Sequence, residues 1–432
     1  MTTTTCPVMD DIDSFNPTPE ARFIAWATTG GNVFLTGQAG TGKSTLLGRF
    51  LDWARLKGIT VAVTAPTGIA ALNVGGTTVH RWCGMQLGPQ DTETFEAAAA
   101  RLESHGAYYG AVNRVQETSV LVIDEISMMA GRQLDFLDFW LKRIREDDAP
   151  FGGLQVIFLG DFLQLPPVRT DASKPYDWAF RSEAWKQADF KTIRLETVRR
   201  QNDLAFVQAL SGFRIGKLRK IDADILRSRV QWFPKAEITH LLTHNAQVDK
   251  WNTYRLENVP GEVLTFEART KGVEQAVDFA TKNMSTPRKN MSTPRVLQIK
   301  VGAAVMFTAN DAEQGFANGQ IGTITRVSGT VIHVHSRGST ISLEPRKWFF
   351  DNLGVTVWQY PLRLAYAMTI HRAQGLTLDA AYIDIRAARE PGQGYVALSR
   401  VRSLPGLHLK EWPKGWFISE EALRFENREP NP

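Results

Sequence analysis

The chain has 432 residues, ordinary apolar and charged fractions and a formal net charge of +5, which at the usual domain size allows roughly two to four domains with sizeable cores. Its two cysteines, Cys6 and Cys83, are too few and too far apart for a disulfide framework or a zinc cluster, which favours a reducing compartment. No apolar run approaches the roughly 18 residues of a membrane span, and the Thr-rich start lacks the regions of a secretion signal, so a cytoplasmic protein is expected, with a mild lean toward a polyanionic partner.

In chain order, residues 32–36 read as a buried strand, 37–42 as a turn and 43–56 as a helix with Leu46, Leu47, Phe50, Leu51 and Ala54 on one side. Strands follow at 60–64, 120–123 and 156–160, each an apolar run ending in a polar or glycine-containing turn. That grammar predicts a parallel α/β sheet with its site at the carboxyl ends of the strands. Residues 84–119 interrupt it with glycine, proline, a run of four alanines and acidic residues, and are read as a small insertion. Farther on, strands are predicted at 238–243 and 380–385 and a helix at 246–256. Between 301 and 350 short strands at 305–307, 321–326, 330–335 and 340–343 have the spacing of a small β-barrel set into the second α/β unit. Just before it, KNMSTPR at 282–288 is repeated without change at 289–295. Two copies cannot stack into a solenoid core, so the repeat is read as a duplicated surface loop, with a basic arm touching nucleic acid as the alternative.

The chemistry begins at Gly37-Gln-Ala-Gly-Thr-Gly-Lys43-Ser44, a complete G-x-x-x-x-G-K-[ST] between a predicted strand and helix. Its backbone N–H groups can close around phosphates, Lys43 can reach the terminal phosphates, and Ser44 can ligate magnesium. Asp124 and Glu125 end the strand at 120–123, where the first suits a magnesium ion and the second suits a general base acting on water. Gln164, after the strand at 156–160, is placed to sense the γ-phosphate.

Taken in order, residues 38–45, 65–71 with 77–80, 123–128 and 151–167 resemble the first-domain motifs of Pif1-like DNA helicases of superfamily 1. Residues 196–201, 243–252, 369–377 and 395–400 resemble the second-domain motifs. The likeness runs from about residue 32 to residue 409. RecD-type and Dda-type relatives share several of these motifs. The resemblance implies two RecA-like parallel-sheet domains, a small wedge insertion in the first and an SH3-like insertion in the second. The expected bounds are 1–83 with 120–195, 84–119, 196–300 with 351–432, and 301–350. It implies ATP and Mg2+ in a cleft, held by Gly37, Ala39, Gly40, Thr41, Gly42, Lys43, Ser44, Thr45 and Gly375, with Ser44 and Asp124 toward the metal. Lys43, Asp124, Glu125 and Gln164 then stand on one wall, and Arg200, Gly375 and Arg400 on the other.

For the partner, the resemblance implies single-stranded DNA across both domains, touched by Pro66, Thr67, Thr77, His80, Phe162, Asn245, Thr369 and His371, residue types suited to phosphate, sugar and base stacking. His80 and His371 also fit packed core histidines. Travel is expected 5′ to 3′ on single-stranded, forked or G-quadruplex DNA, by a monomer associated with the nucleoid. One departure stands out, because relatives carry an adenine-reading glutamine upstream of the phosphate loop and residues 16–20 hold none. The same residues would serve an ATP-gated nucleic-acid clamp; a metabolic kinase would need an acceptor site and a lid instead.

Overall fold

The computed structural model describes residues 17–428 apart from 87, 90–91, 105–107, 170, 172, 202, 232–237, 275–276, 278–292, 312, 317 and 351–353. Helix α1 (Pro19–Thr28) is capped by the Thr18 hydroxyl and leads into a six-stranded, wholly parallel sheet. Its strands are β1 (Val33–Gly37), β2 (Val61–Ala65), β3 (Thr77–Thr78), β4 (Val120–Ile123), β5 (Gln155–Gly160) and β6 (Lys191–Leu195), in the spatial order β3-β2-β4-β5-β1-β6. Strands β1 and β4 are buried along their whole length, as apolar runs covered by helices on both faces should be. Helix α2 (Lys43–Leu56) matches its predicted span and packs Leu46, Leu47 and Phe50 against Val33, Leu35, Ile157 and Leu159.

Short helices α3 (Gly68–Asn73) and α4 (Val79–Trp82) leave the ends of β2 and β3. The irregular stretch read as an insertion folds around helices α5 (Phe95–Glu103) and α6 (Tyr108–Glu117). Ala98, Ala99, Leu102 and Val115 from these two share one core with Leu137, Trp140 and Leu141 of α7 (Gly131–Arg145).

The second parallel sheet has four strands, β7 (Thr239–Leu242), β8 (Ala367–Thr369), β9 (Ala381–Ile383) and β10 (Leu407–Leu409), ordered β8-β7-β9-β10. Around it lie α8 (Leu204–Arg214), α9 (Asn245–Glu257), α10 (Ile370–Ala373) and α11 (Gln393–Leu398). Between β7 and β8 the chain builds a five-stranded antiparallel sheet from Ala304–Phe307, Ile321–Ser328, Val331–Ser336, Ser339–Leu343 and Leu362–Leu364. Its own core joins Val305, Phe307, Ile324, Val334 and Ile341 to Leu256, Leu297, Tyr360 and Leu362. The expected pattern of two parallel-sheet units with an antiparallel insertion in the second is the observed one.

Most of the KNMSTPR repeat lies outside the described residues. The end of its second copy is built into the fold, since Thr293 is fully buried and its hydroxyl donates to the carbonyls of Tyr360 (2.8 Å) and Leu362 (2.6 Å). The last helix, α12 (Glu420–Glu426), leaves the second unit and packs on the first. There Phe425 stacks on Phe180 at 4.2 Å between ring centroids and meets Phe34, Phe162 and Trp185.

Candidate nucleotide site and strand face

Sheet register brings the motifs together. In β1 Thr36 stands opposite Gly160 of β5, and Gly37 opposite Leu195 of β6, so the loops beginning at 38, 161 and 196 emerge side by side. Thr64 of β2 lies opposite Ile123 of β4, and the Asp124 N–H donates to the Thr64 carbonyl, which sets Pro66 and Thr67 beside the acidic pair. These are the carboxyl ends of parallel strands, where open α/β sheets bind ligands.

The phosphate loop requires its glycines. Gly40 has φ +83°, and a side chain there would run into Arg200, whose N–H, with that of Arg199, donates to the Gly40 carbonyl. The loop closes on Lys43, which donates from Nζ to the carbonyls of Gly37 (2.6 Å) and Gln38 (3.3 Å). Burial draws the Lys43 pKa down, while Asp161, Glu125 and Asp124 oppose that shift.

A cavity of about 470 Å³ opens over this loop. It gathers Ala39, Gly40, Thr41, Gly42, Lys43, Ser44, Thr45, Asp124, Glu125 and Gln164 from the first unit with Gly375 and Arg400 from the second. Arg200 belongs to both walls, because its backbone is tied to Gly40 and its guanidinium donates to the Ser399 carbonyl at 3.2 Å. Gly37 alone of the expected nucleotide residues does not line the cavity; it contributes the carbonyl that holds Lys43. Burial and the neighbouring Glu125 raise the Asp124 carboxyl to about 7. Glu125 sits at φ +53°, a left-handed conformation rare for glutamate, with its N–H on Asp124 Oδ1 at 2.8 Å. Ser44 and Asp124 offer hard oxygen donors of the kind magnesium takes.

Arg400 is 1% exposed, and burial, then Arg200, pulls its pKa down to about 9. All three guanidinium nitrogens are engaged within its own unit, Nε on the Val396 carbonyl (2.7 Å), one terminal nitrogen on Ser399 Oγ (2.7 Å) and the other on the Leu376 carbonyl (3.4 Å).

None of the eight residues expected to touch a nucleic-acid strand lines this cavity. Pro66 and Thr67 follow β2, Thr77 lies in β3, His80 in α4, Asn245 opens α9, Thr369 ends β8 and His371 lies in α10. Thr67, Thr78 and Thr369 each turn the hydroxyl back to cap α3, α4 or α10. Thr369 is only 5% exposed, so what its motif presents is a helix N-terminus rather than its own hydroxyl. Burial lowers the His371 pKa, with Glu390 opposing and His244 adding to the shift, which keeps the ring neutral at neutral pH.

Phe162 corrects the sequence reading. Its side chain is fully buried, edge-on to Trp178, Phe180, Trp185 and Phe425, and cannot stack on a base. The motif keeps it for packing beneath the loop that carries Asp161 and Gln164.

The sequence reading left other side chains without a role. Gln374 is 4% exposed and donates from Nε2 to Glu125 Oε2 at 2.9 Å, joining the second unit to the expected general base. Asp161 is fully buried and takes both Nε (3.1 Å) and a terminal nitrogen (2.6 Å) of Arg214 on α8. Burial pushes the Asp161 carboxyl up, but Arg214 outweighs it and holds the group below the ordinary range. Beside this pair, buried Glu426 of α12 accepts from Thr36 Oγ1 (3.1 Å) and the Phe162 N–H (3.0 Å) and pairs with Arg194. Gln374 and Asp161 lie within the helicase motifs at 369–377 and 151–167; Arg214 and Glu426 carry no local signal.

A family profile described as PIF1-like helicase matches residues 22–212. The ATP-dependent DNA helicase Pif1 of Bdellovibrio bacteriovorus is 34% identical over 415 residues, covering 94% of this chain and 90% of that protein. Several longer relatives match as well, and the chain spans 60 to 66% of their length. Among solved structures, Pif1 helicase from Candida albicans superposes with a TM-score of 0.82 at 31% identity, covering 95% of this chain and 99% of that one. Bacteroides Pif1 bound to single-stranded DNA gives a TM-score of 0.73 at 30% identity, covering 96% and 97%. Identity of this level across nearly the whole chain, joined to the site geometry, shows that the chain belongs to the PIF1-like helicase family.

Proposed function

We propose that this chain is an ATP-dependent DNA helicase, which draws itself along single-stranded DNA and separates duplex, forked or structured DNA, moving 5′ to 3′. One observation carries the reading: a single cavity takes its phosphate loop and acidic pair from one parallel sheet and Gly375 and Arg400 from the other. A site built this way is complete only when the two units meet, so hydrolysis and relative movement of the units are one event.

The side chains divide the work. Lys43 and the N-terminus of α2 hold the terminal phosphates, displacing the loop carbonyls that Lys43 now holds. Glu125, oriented by Gln374, takes the proton from the attacking water. Arg400 and Arg200 stabilise charge on the leaving oxygens. Ser44 and Asp124 would hold Mg2+, which when bound supplies charge neutralisation at the β- and γ-phosphates.

Along the strand, helix N-termini after β2, β3, β7 and β8 offer backbone N–H groups to phosphates without reading sequence. The segment 84–119 serves as the wedge and the antiparallel unit as its counterpart on the second domain. A tailed-duplex assay tests the whole reading. Unwinding of a substrate with a 5′ single-stranded tail, dependent on ATP and absent with a 3′ tail, is expected. Hydrolysis stimulated by DNA without strand separation would make the protein an ATP-gated clamp instead.

A further inference from the structure

The chain crosses from the first unit to the second between β6, which ends at Leu195, and α8, which begins at Leu204. Residues 199–201 of this crossing are held on both sides. Toward the first unit, the N–H groups of Arg199 and Arg200 donate to the Gly40 carbonyl of the phosphate loop, at 2.7 and 3.2 Å. Toward the second, the Gln201 amide donates from Nε2 to the carbonyls of Val401 (3.0 Å) and Ser399 (3.4 Å), which flank Arg400.

Gln201 is 4% exposed and does not line the nucleotide cavity, so it acts through what it holds. Its Oε1 is buried and meets no donor among the described residues. A buried amide with one end unpaired is a poor stabiliser, because the orphaned oxygen offsets much of what the donated bonds contribute. What the amide does supply is a fixed place for the main chain on either side of Arg400.

The segment leading to that arginine is seated on the first unit elsewhere too. Gly392, at the start of α11 with φ +73°, lies so close to the carbonyls of Leu163 and Gln164 that a β-carbon would run into them. One turn on, the Tyr395 hydroxyl takes the Ala39 N–H at 3.0 Å. Gln201 completes the seat at the end that carries the arginine. A side chain as long as arginine amplifies any rotation of its backbone, and a displacement of about 1 Å can cost about a hundredfold in rate.

We infer that Gln201 is a positioning residue for the role given above to Arg400 in hydrolysis, tying residues 399–401 to the phosphate loop so that loop and arginine move as one. Gln201 faces neither nucleotide nor strand, so its removal slows the chemical step and leaves binding alone.

The test is Gln201→Met in the full chain, which keeps length and volume but donates nothing. In oligothymidine-stimulated ATP hydrolysis kcat should fall by about ten- to a hundredfold while KM stays within about twofold. The denaturant midpoint should stay close to that of the parent, since the orphaned oxygen leaves with the donors. Gln201→Asn keeps the amide but withdraws it by one methylene, and should show the same split if the methionine variant does not fold. In an Arg400→Ala background Gln201→Met should add no further loss, because there is no arginine left to position. A kcat within about threefold of the parent, or losses that multiply in the double variant, overturns the assignment. A raised KM together with a lowered midpoint in both variants marks a structural role and overturns it as well. If Arg400→Ala itself hydrolyses ATP like the parent, the role of Arg400 falls and that of Gln201 with it; if Arg400→Ala is inactive and Gln201→Met is silent, only Gln201 loses its role.

Discussion

At the scale of single residues, Phe162 and Asp124 show how burial redirects chemistry. Phe162 lies in a helicase motif, yet it packs among five other aromatic rings with no exposed surface. Phe162→Ala should therefore cost about 3–5 kcal/mol of stability through the cavity it leaves. Denaturant midpoints should fall while the affinity of the remaining folded protein for oligothymidine holds; a loss of affinity at unchanged stability would restore the stacking role. Asp124 makes a prediction about pH. Its carboxyl is raised to about 7 by burial and Glu125, well above the roughly 3.9 of an unfolded chain. The native state therefore binds more protons than the unfolded one across that window, and the group's contribution to stability falls as pH rises from about 4 to 7. The same proton must leave before a cation is held there. Magnesium affinity in the presence of nucleotide should rise by up to about tenfold per pH unit below 7 and level off above it. Calorimetric titrations at pH 6, 7 and 8 check this, with Asp124→Asn expected to flatten the profile.

Among the elements, helix α12 contributes more than its length suggests. Its sequence EEALRFE holds three glutamates and one arginine in seven residues. In the fold Phe425 closes the aromatic cluster under β1 and β5, and Glu426 satisfies Thr36, the Phe162 N–H and Arg194 in one buried group. A half-buried aromatic ring of this kind should be worth about 2–4 kcal/mol, so Phe425→Ala is expected to lower the denaturant midpoint of the first unit. An unchanged midpoint would mean that α12 rests on the surface without supporting it. Thr36 directly precedes the phosphate loop, so the same substitution should also raise the KM for nucleotide.

Across the whole molecule, side chains from the two units meet at several points. Arg214 binds Asp161, Gln374 binds Glu125, Tyr395 accepts the Ala39 N–H at 3.0 Å, and Tyr176 donates to Glu390. Gly375 has φ +79°, a left-handed backbone that a side chain would strain, and it sits against the Asn73 amide of the first unit. Arg400 lines the shared cavity while its guanidinium rests on Val396, Leu376 and Ser399. Charge developing on a γ-phosphoryl group would have to draw it from those bonds. An arginine used in this way is worth roughly 10³ to 10⁵ in rate. Arg400→Ala should accordingly lose DNA-stimulated hydrolysis by about 10³ or more and all unwinding, while affinity for oligothymidine stays within a few fold. Arg400→Lys keeps the charge but not the fork, and should recover folding without recovering rate. DNA stimulation that survived in either variant would separate Arg400 from the reaction.

What the sequence determined alone is what local pattern can carry. Strand, glycine turn and helix at 32–56 are specified by residues a few positions apart, through apolar runs, the need for left-handed backbone and the apolar face of α2. The acidic pair after β4 was legible for the same reason, since an apolar strand and the residues at its end are contiguous. Which strand ends become neighbours is not a local property. The order β3-β2-β4-β5-β1-β6 sets Gly37 beside Asp161 and Leu195, and the second sheet then brings Gln374 to Glu125, 249 positions away, and Glu426 to Thr36, 390 positions away. Burial of Phe162 and the buried Arg214–Asp161 pair were likewise decided by tertiary packing. A motif states what residue is present, but only the neighbours supplied by the fold determine whether that side chain meets solvent, ligand or core.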